Sequence, residues 1–433
     1  MFRNIDEALF EWKNKKNRLP LVLNGARQVG KTYSLKEFGK LHFKNMVYIN
    51  LEINSNVNSF FDGDLKPDNI IQFLEIVTES RIIPEETLIV LDEIQSCPRA
   101  LLSLKSFAEE APQFHIVAAG SLLGVAINRD QFSFPVGKVD ELTMYPMDFG
   151  EFLIASKRTI LKNQIEHHFE NLKPMVDALH NEALEAFKKY LIIGGMPAVI
   201  KEFLEFNSFL MVRDIQARIL NEYVADMAKY ATNATAVKIR ASYDSIPSQL
   251  AKENAKFQYK VVQKGGTANI FGEAIEWLIF SGIALKCKKI DHGYIPIPAY
   301  VDVSDFKLYM GDVGLLTAKS NMPIQSIISE YSGNISFLGM IIENYVAQAF
   351  VTNGHQLFYW KNDNTAELDF ILQKEGQVIP VEVKKGKHTK SKSFNMFLKK
   401  YNSEYGIRFS TKNFGYENSI KSIPLYAVWL VRK

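Results

Sequence analysis

Along the first third of the chain, short runs that are apolar at nearly every position alternate with stretches of helical periodicity. The runs are Leu19–Leu23, Met46–Leu51, Thr87–Leu91 and Phe114–Ala119. A strand wetted on one face alternates apolar and polar residues; a strand covered on both faces does not. The pattern therefore predicts a parallel sheet with helices on both sides, a doubly wound α/β domain over residues 1–147.

The text then changes character. Residues 148–206 read as helical, as in Phe149–Lys157 and Ala183–Leu191, up to a break at Gly194-Gly195-Met196-Pro197. This segment is expected to be a small helical lid. In residues 207–325, helices at Ser245–Glu253 and Ala268–Phe280 precede β-prone Ile283–Ile290 and Ile295–Val303, the order of a winged-helix module. Residues 326–433 open with a helix at Leu338–Thr352. Strands follow at Leu357–Trp360, Ala366–Leu372 and Val378–Val383, then a helix at Ser393–Tyr401. A separate α/β domain is expected there.

Two short segments carry chemistry. Gly25-Ala26-Arg27-Gln28-Val29-Gly30-Lys31-Thr32 fits G-x-x-x-x-G-K-[ST] at every fixed position, between an apolar strand and the helix Tyr33–Lys40. Such a loop turns successive backbone N–H groups onto phosphate oxygens at a helix N-terminus. Lys31 is expected on the β- and γ-phosphates of ATP, and the Thr32 hydroxyl on Mg²⁺. Leu88-Ile89-Val90-Leu91-Asp92-Glu93 supplies the other half: a buried strand ending in Asp92, a second Mg²⁺ ligand, with Glu93 next to it as the base that activates water. Phe114–Ala119 ends in Gly120-Ser121. Ser121 is expected to sense the γ-phosphate or the attacking water, the alternative being a helix cap.

With these residues in place, a family resemblance emerges. The loop Gly25–Thr32, Leu91-Asp92-Glu93-Ile94-Gln95 with Cys97-Pro98, Leu104-Lys105, Ala119-Gly120-Ser121, Tyr145–Leu153 and Gly194–Pro197 resemble a prokaryotic AAA-type ATPase family. Ser245–Ala251, Lys307–Leu316 and Glu343-Asn344 resemble the uncharacterised domain that usually follows that core. The resemblance implies an AAA-type P-loop fold and ATP hydrolysis. The family carries Gly-Arg where this chain has Gly137-Lys138. Lysine would stabilise transition-state charge less well, because it lacks the bidentate fork.

In the C-terminal region, period-2 alternation puts Glu382 and Lys384 on one strand face. With Glu343 on the preceding helix and Asp369 on the preceding strand, the order is that of the PD-(D/E)XK nuclease fold. Glu343, Asp369 and Glu382 are then candidate ligands of a second Mg²⁺, with Lys384 orienting water. Glu367 is either a further ligand or a structural acid. Domains of this fold either cut nucleic acid or bind it without cutting.

Composition adds limits. With 433 residues, 47% hydrophobic and 23% charged, the chain is ordinary globular protein of several domains. No run is apolar enough to span a membrane, and no leader is evident, so a cytoplasmic protein is expected. Cys97 and Cys287 are the only cysteines and have no metal-binding spacing. The net charge is +3, with a lysine-rich stretch free of carboxylates from Lys384 to Lys400. That stretch is either a solvated loop or a surface for a polyanion. The combined expectation is an ATP- and Mg²⁺-dependent ATPase coupled to a DNA-binding, nuclease-like domain. The alternative is a signalling ATPase whose C-terminal domain binds protein, either a partner or a further copy of the chain.

Overall fold

The computed structural model describes the chain except for residues 122–134, 253–254, 329–334, 363–365 and 385–391, and except for the side chains of residues 55, 230, 335 and 336. It divides into two compact units: Met1–Tyr145 with Phe280–Gly282, and Pro146–Ile279 with Ile283–Lys433.

The first unit is built on five parallel strands. These are β1 (Leu21–Asn24), β2 (Asn45–Asn50), β3 (Thr87–Asp92), β4 (His115–Ala119) and β5 (Asp140–Thr143), in the order β2-β3-β4-β1-β5. The four apolar runs are thus four of the strands. Both faces of the sheet are covered. Val22, Ile89, Leu91, Ile116 and Ala118 join Leu74, Leu101, Leu104 and Phe107 in one cluster, while Leu21, Leu23, Leu88, Val90 and Val117 on the alternate positions are also fully buried. β5 has no apolar run, because it lies at the sheet edge with a half-exposed pattern and Asp140 and Glu141 at its start. It is placed by its register with β1, from Leu21 opposite Asp140 to Asn24 opposite Thr143.

The second unit begins with a run of helices. The first, Phe149–Ala155, is closed by a capping box: the Glu151 amide donates to Asp148 Oδ1 (2.7 Å) and the Asp148 amide to Glu151 Oε2 (2.8 Å). The Gly194-Gly195 break follows the helix Asp177–Ile193. There the Gly195 amide donates to Asp312 Oδ2 (2.6 Å), Asp312 Oδ1 accepts from the Leu315 amide (2.9 Å), and the Met147 amide donates to the Gly195 carbonyl (2.7 Å). The aspartates of two family-like motifs are therefore backbone caps.

An eight-stranded mixed sheet completes this unit: β6 (Ala284–Ile290), β7 (Val301–Met310), β8 (Phe358–Lys361), β9 (Glu367–Lys374), β10 (Gln377–Val383), β11 (Gly406–Ser410), β12 (Gly415–Glu417) and β13 (Ile420–Pro424). Their order is β12-β13-β11-β10-β9-β8-β6-β7. Here the structure departs from expectation. β6 and β7 pair as an antiparallel hairpin, but β6 also pairs with β8 in parallel, Lys288 opposite Phe358. The hairpin expected as the wing is the edge of the C-terminal sheet, so the boundary drawn at residue 325/326 cuts through one sheet. Sequence periodicity predicts a strand but not its partner about seventy residues away.

Candidate functional site

The strand-loop-helix around Gly25–Thr32 forms as its sequence predicts, with Gly30 capping the helix Lys31–His42. Gly25 has φ 146°, and a Cβ there would lie 2.2 Å from the Met144 carbonyl oxygen, so only glycine fits. Behind the loop, the buried Arg3 guanidinium donates to the Val29 carbonyl (2.6 Å) and the Tyr145 carbonyl (2.7 Å). Two loop carbonyls also turn to Lys31, whose Nζ donates to Gly25 O (2.8 Å) and Ala26 O (2.9 Å). Burial lowers the Lys31 pKa to about 8, against the opposing pull of Glu93 and Asp92.

Asp92 ends β3 with its side chain buried. Its Oδ2 accepts from the Thr32 hydroxyl (2.6 Å) and the Tyr48 hydroxyl (2.8 Å), and its Oδ1 accepts from the Glu93 amide (3.0 Å). Thr32 and Asp92, sixty residues apart, thus meet as a pair of oxygen donors. Those are the ligands a hard divalent cation takes, so the residues present fit Mg²⁺. Glu93 sits at φ 53°, a left-handed conformation that costs a non-glycine residue on the order of 1 kcal/mol. This turn swings its carboxylate out of the strand direction, where Glu93 Oε2 accepts from Gln95 Nε2 (2.6 Å). Gln95 is itself pressed against the end of β4: a Cβ on Gly120 would come within 2.4 Å of Gln95 Oε1. β4 lies between β1 and β3 and all three are parallel, so Ser121, buried just beyond β4, stands between the loop and Asp92. Lys138 is paired with Glu109 (2.9 Å).

In the second unit, Glu343 lies on the helix Ile335–Thr352, Asp369 on β9 and Glu382 on β10. The β9–β10 ladder pairs Phe370 with Val381, and its next step sets Asp369 opposite Glu382. The Val383 amide donates to Asp369 Oδ2 (2.7 Å). The acids come together, but cations of the chain stand among them. Lys307 on β7, only 2% exposed, bonds Glu343 (3.1 Å) and Glu367 (2.9 Å), and the Tyr309 hydroxyl donates to Glu343 (2.5 Å). Glu382 is held by Arg408 (3.0 Å) and Lys384 (3.1 Å). Burial pushes the Asp369 carboxyl up to about 7, reinforced by Glu343 and opposed by Lys307. Burial alone would deprotonate Lys307, but Glu343, Glu367 and Asp369 hold its pKa above the ordinary value. Among the described residues no group of three or more His, Cys, Asp or Glu side chains is arranged to hold a metal ion.

Residues 17–153 match the family model of an AAA domain. That segment, with its phosphate loop and acid-tipped strand, is similar to an AAA-type P-loop domain. Two further family models match beyond it: Domain of unknown function (DUF8612) over residues 184–326 and Domain of unknown function (DUF4143) over residues 338–428. No curated protein matches the chain. Among solved structures, the Walker-type ATPase PABY2304 of Pyrococcus abyssi is similar at 14% identity, covering 73% of this chain and 95% of that one with a TM-score of 0.44. The Aeropyrum pernix ORC1 protein in complex with DNA is similar at 13% identity, covering 75% and 92%, TM-score 0.28. AMPPCP-bound DnaA from Aquifex aeolicus is similar at 11% identity, covering 64% and 89%, TM-score 0.29. These whole-chain superpositions are loose, and the assignment rests on the match of residues 17–153.

The AAA-type domain brings Lys31, Thr32, Asp92 and Glu93 into one hydrogen-bonded and electrostatic constellation. Sequence reasoning missed Arg3, Tyr48 and the role of Gln95. Arg3 and Tyr48 carry no motif and reach the site through tertiary packing; Gln95 was visible beside Glu93, but its bond depends on the turn at Glu93. In the second unit it missed Lys307 and Arg408, one on a sheet-edge strand and one on a strand parallel to β10. Lys256, between the two helices of the segment that reads as a winged helix, is paired with Asp305.

Proposed function

We propose that this chain is a Mg²⁺-dependent ATPase whose nucleotide state governs nucleic-acid binding by its C-terminal half. The observation that carries the first part is the meeting of Thr32, Asp92, Lys31 and Glu93 at the carboxyl edge of one parallel sheet, where open α/β sheets bind ligands. Mg²⁺, held by Thr32 and Asp92, would neutralise charge on the β- and γ-phosphates. Lys31 leaves the Gly25 and Ala26 carbonyls to pair with the triphosphate. Backbone amides of residues 25–32 take the phosphate oxygens. Glu93, oriented by Gln95, accepts the proton of the attacking water. Ser121 reports on the γ-phosphate from the end of β4.

Two features support the second part. The C-terminal order is a helix, three antiparallel strands β8–β10, a helix and the parallel strand β11, the connectivity that the nuclease-like reading requires. Lys392, Lys399 and Lys400 are exposed on one helix of that unit, next to the lysine-rich residues 385–391, which lie outside the described residues. No helix among the described residues is long and apolar enough to cross a membrane. The reading is tested by ATP turnover and by DNA binding across a salt series, with and without nucleotide. Phosphate contacts release counterions, so affinity should fall steeply with salt. Salt-insensitive capture of a protein instead of DNA would favour the signalling alternative.

A further inference from the structure

We infer that the acidic site formed by Glu343, Glu367, Asp369 and Glu382 takes no divalent cation, because Lys307 and Arg408 supply its positive charge from within the chain. The inference extends the nucleic-acid reading, making the C-terminal domain a binding module and not a metal-dependent nuclease, but it is measured independently of it.

Glu343 Oε1 accepts from both Lys307 Nζ (3.1 Å) and the Tyr309 hydroxyl (2.5 Å). Lys307 also binds Glu367 (2.9 Å), which is paired a second time with Lys361 (3.2 Å). Both oxygens of Glu382 are engaged, Oε1 by Lys384 (3.1 Å) and Oε2 by Arg408 Nε (3.0 Å). A divalent cation would have to displace these bonds and share the cavity with a buried ammonium. A divalent cation and the buried ammonium would repel strongly in a poorly hydrated interior, and Lys307, 2% exposed on β7, is held there by its strand.

Lys307 is no surface residue that drifted inward. It lies 2% exposed, on a strand whose register with β6 sets it opposite Cys287, and its ammonium stands 4.9 Å from the Tyr359 ring centroid. A side chain walled in this way is part of the core and not a movable latch. A buried carboxylate cluster requires compensating charge, and here the fold itself provides it.

The test uses the full chain, nucleotide-free and with Asp92→Asn to silence the ATPase cation site. Bound Mn²⁺ is counted by loss of the free-ion electron paramagnetic resonance signal, and the melting midpoint is recorded with and without Mn²⁺. The expected result is no bound Mn²⁺ and no shift. In Lys307→Met, the freed Glu343 and Glu367, with Asp369 beside them, should acquire one Mn²⁺ and a rise of several degrees on adding it, and Glu343→Gln in that background should abolish both. If Lys307→Met does not fold, the count on the Asp92→Asn chain still decides. Mn²⁺ bound with Lys307 in place and lost in Asp369→Asn would overturn the inference. So would a folded Lys307→Met protein that gains no response to Mn²⁺. DNA binding is not read in this experiment, so its outcome does not depend on whether the nucleic-acid reading holds.

Discussion

Raising the pH from about 7 to about 9 should weaken ATP binding roughly tenfold through a single side chain. Lys31 is buried in the phosphate loop, its Nζ on the Gly25 and Ala26 carbonyls, and burial lowers its pKa to about 8. The triphosphate pairs with the ammonium form, so binding restores a high pKa. Below about pH 7 the lysine is already charged and binding is independent of pH. Above its free pKa the protonated fraction falls tenfold per unit, about 1.4 kcal/mol each, and binding must take up a proton. From about pH 7 to about pH 9 the charged fraction drops from about nine-tenths to about one-tenth. The nucleotide contributes little to this slope, since phosphate second ionisations lie near pH 6. Isothermal titration near pH 8.5 in two buffers of different ionisation enthalpy should show uptake of most of a proton per ATP. Lys31→Met should bind weakly with no pH slope in this window. A flat affinity with no proton uptake in the unaltered protein would refute the lowered pKa of Lys31, and full affinity in Lys31→Met would refute its assignment to the phosphates.

Glu93→Gln should keep ATP affinity and lower single-turnover hydrolysis by about 10²- to 10⁴-fold, because an amide cannot accept the water's proton; equal loss of binding and turnover would remove Glu93 from that role. Gln95→Ala frees the Glu93 carboxylate, so kcat should fall by about tenfold while nucleotide affinity, read by fluorescent-analogue titration, stays unchanged. Arg3→Met removes two charge-assisted bonds to the Val29 and Tyr145 carbonyls and should cost about 1.5 to 3 kcal/mol in denaturant melts, with weaker ATP binding. Asp312→Ala strips the Gly195 and Leu315 amides of their acceptor and should cost about 2 to 4 kcal/mol in the same melts. Asp312 has its folded pKa raised to about 6, chiefly by burial, so the folded state holds its proton more tightly than the unfolded one. Its contribution is therefore fully present below about pH 4 and lost as pH rises to about 6, and Asp312→Asn should flatten that slope.

What could be read from the sequence was what neighbours in the chain determine. Gly25–Thr32 and Leu88–Glu93 combine local backbone conformation and local burial pattern, so the loop, its strand and the acid-tipped strand were all visible before any contact was known. The C-terminal order of Glu343, Asp369 and Glu382 was visible for the same reason. Tertiary structure decided everything that depends on pairing at a distance. It placed β4 between β1 and β3, and so Ser121 between loop and acid. It took Ile283–Val303, which reads as the hairpin of a separate module, and joined it to β8, because a strand carries its hydrogen-bonding groups without specifying whose they will meet. By the same step it carried Lys307 into the acids thirty-six and sixty residues further along. A lysine in an alternating strand looks like a solvent-facing residue until the sheet closes over it, and only the fold determines whether a carboxylate site is left for a metal or filled by the protein's own cation.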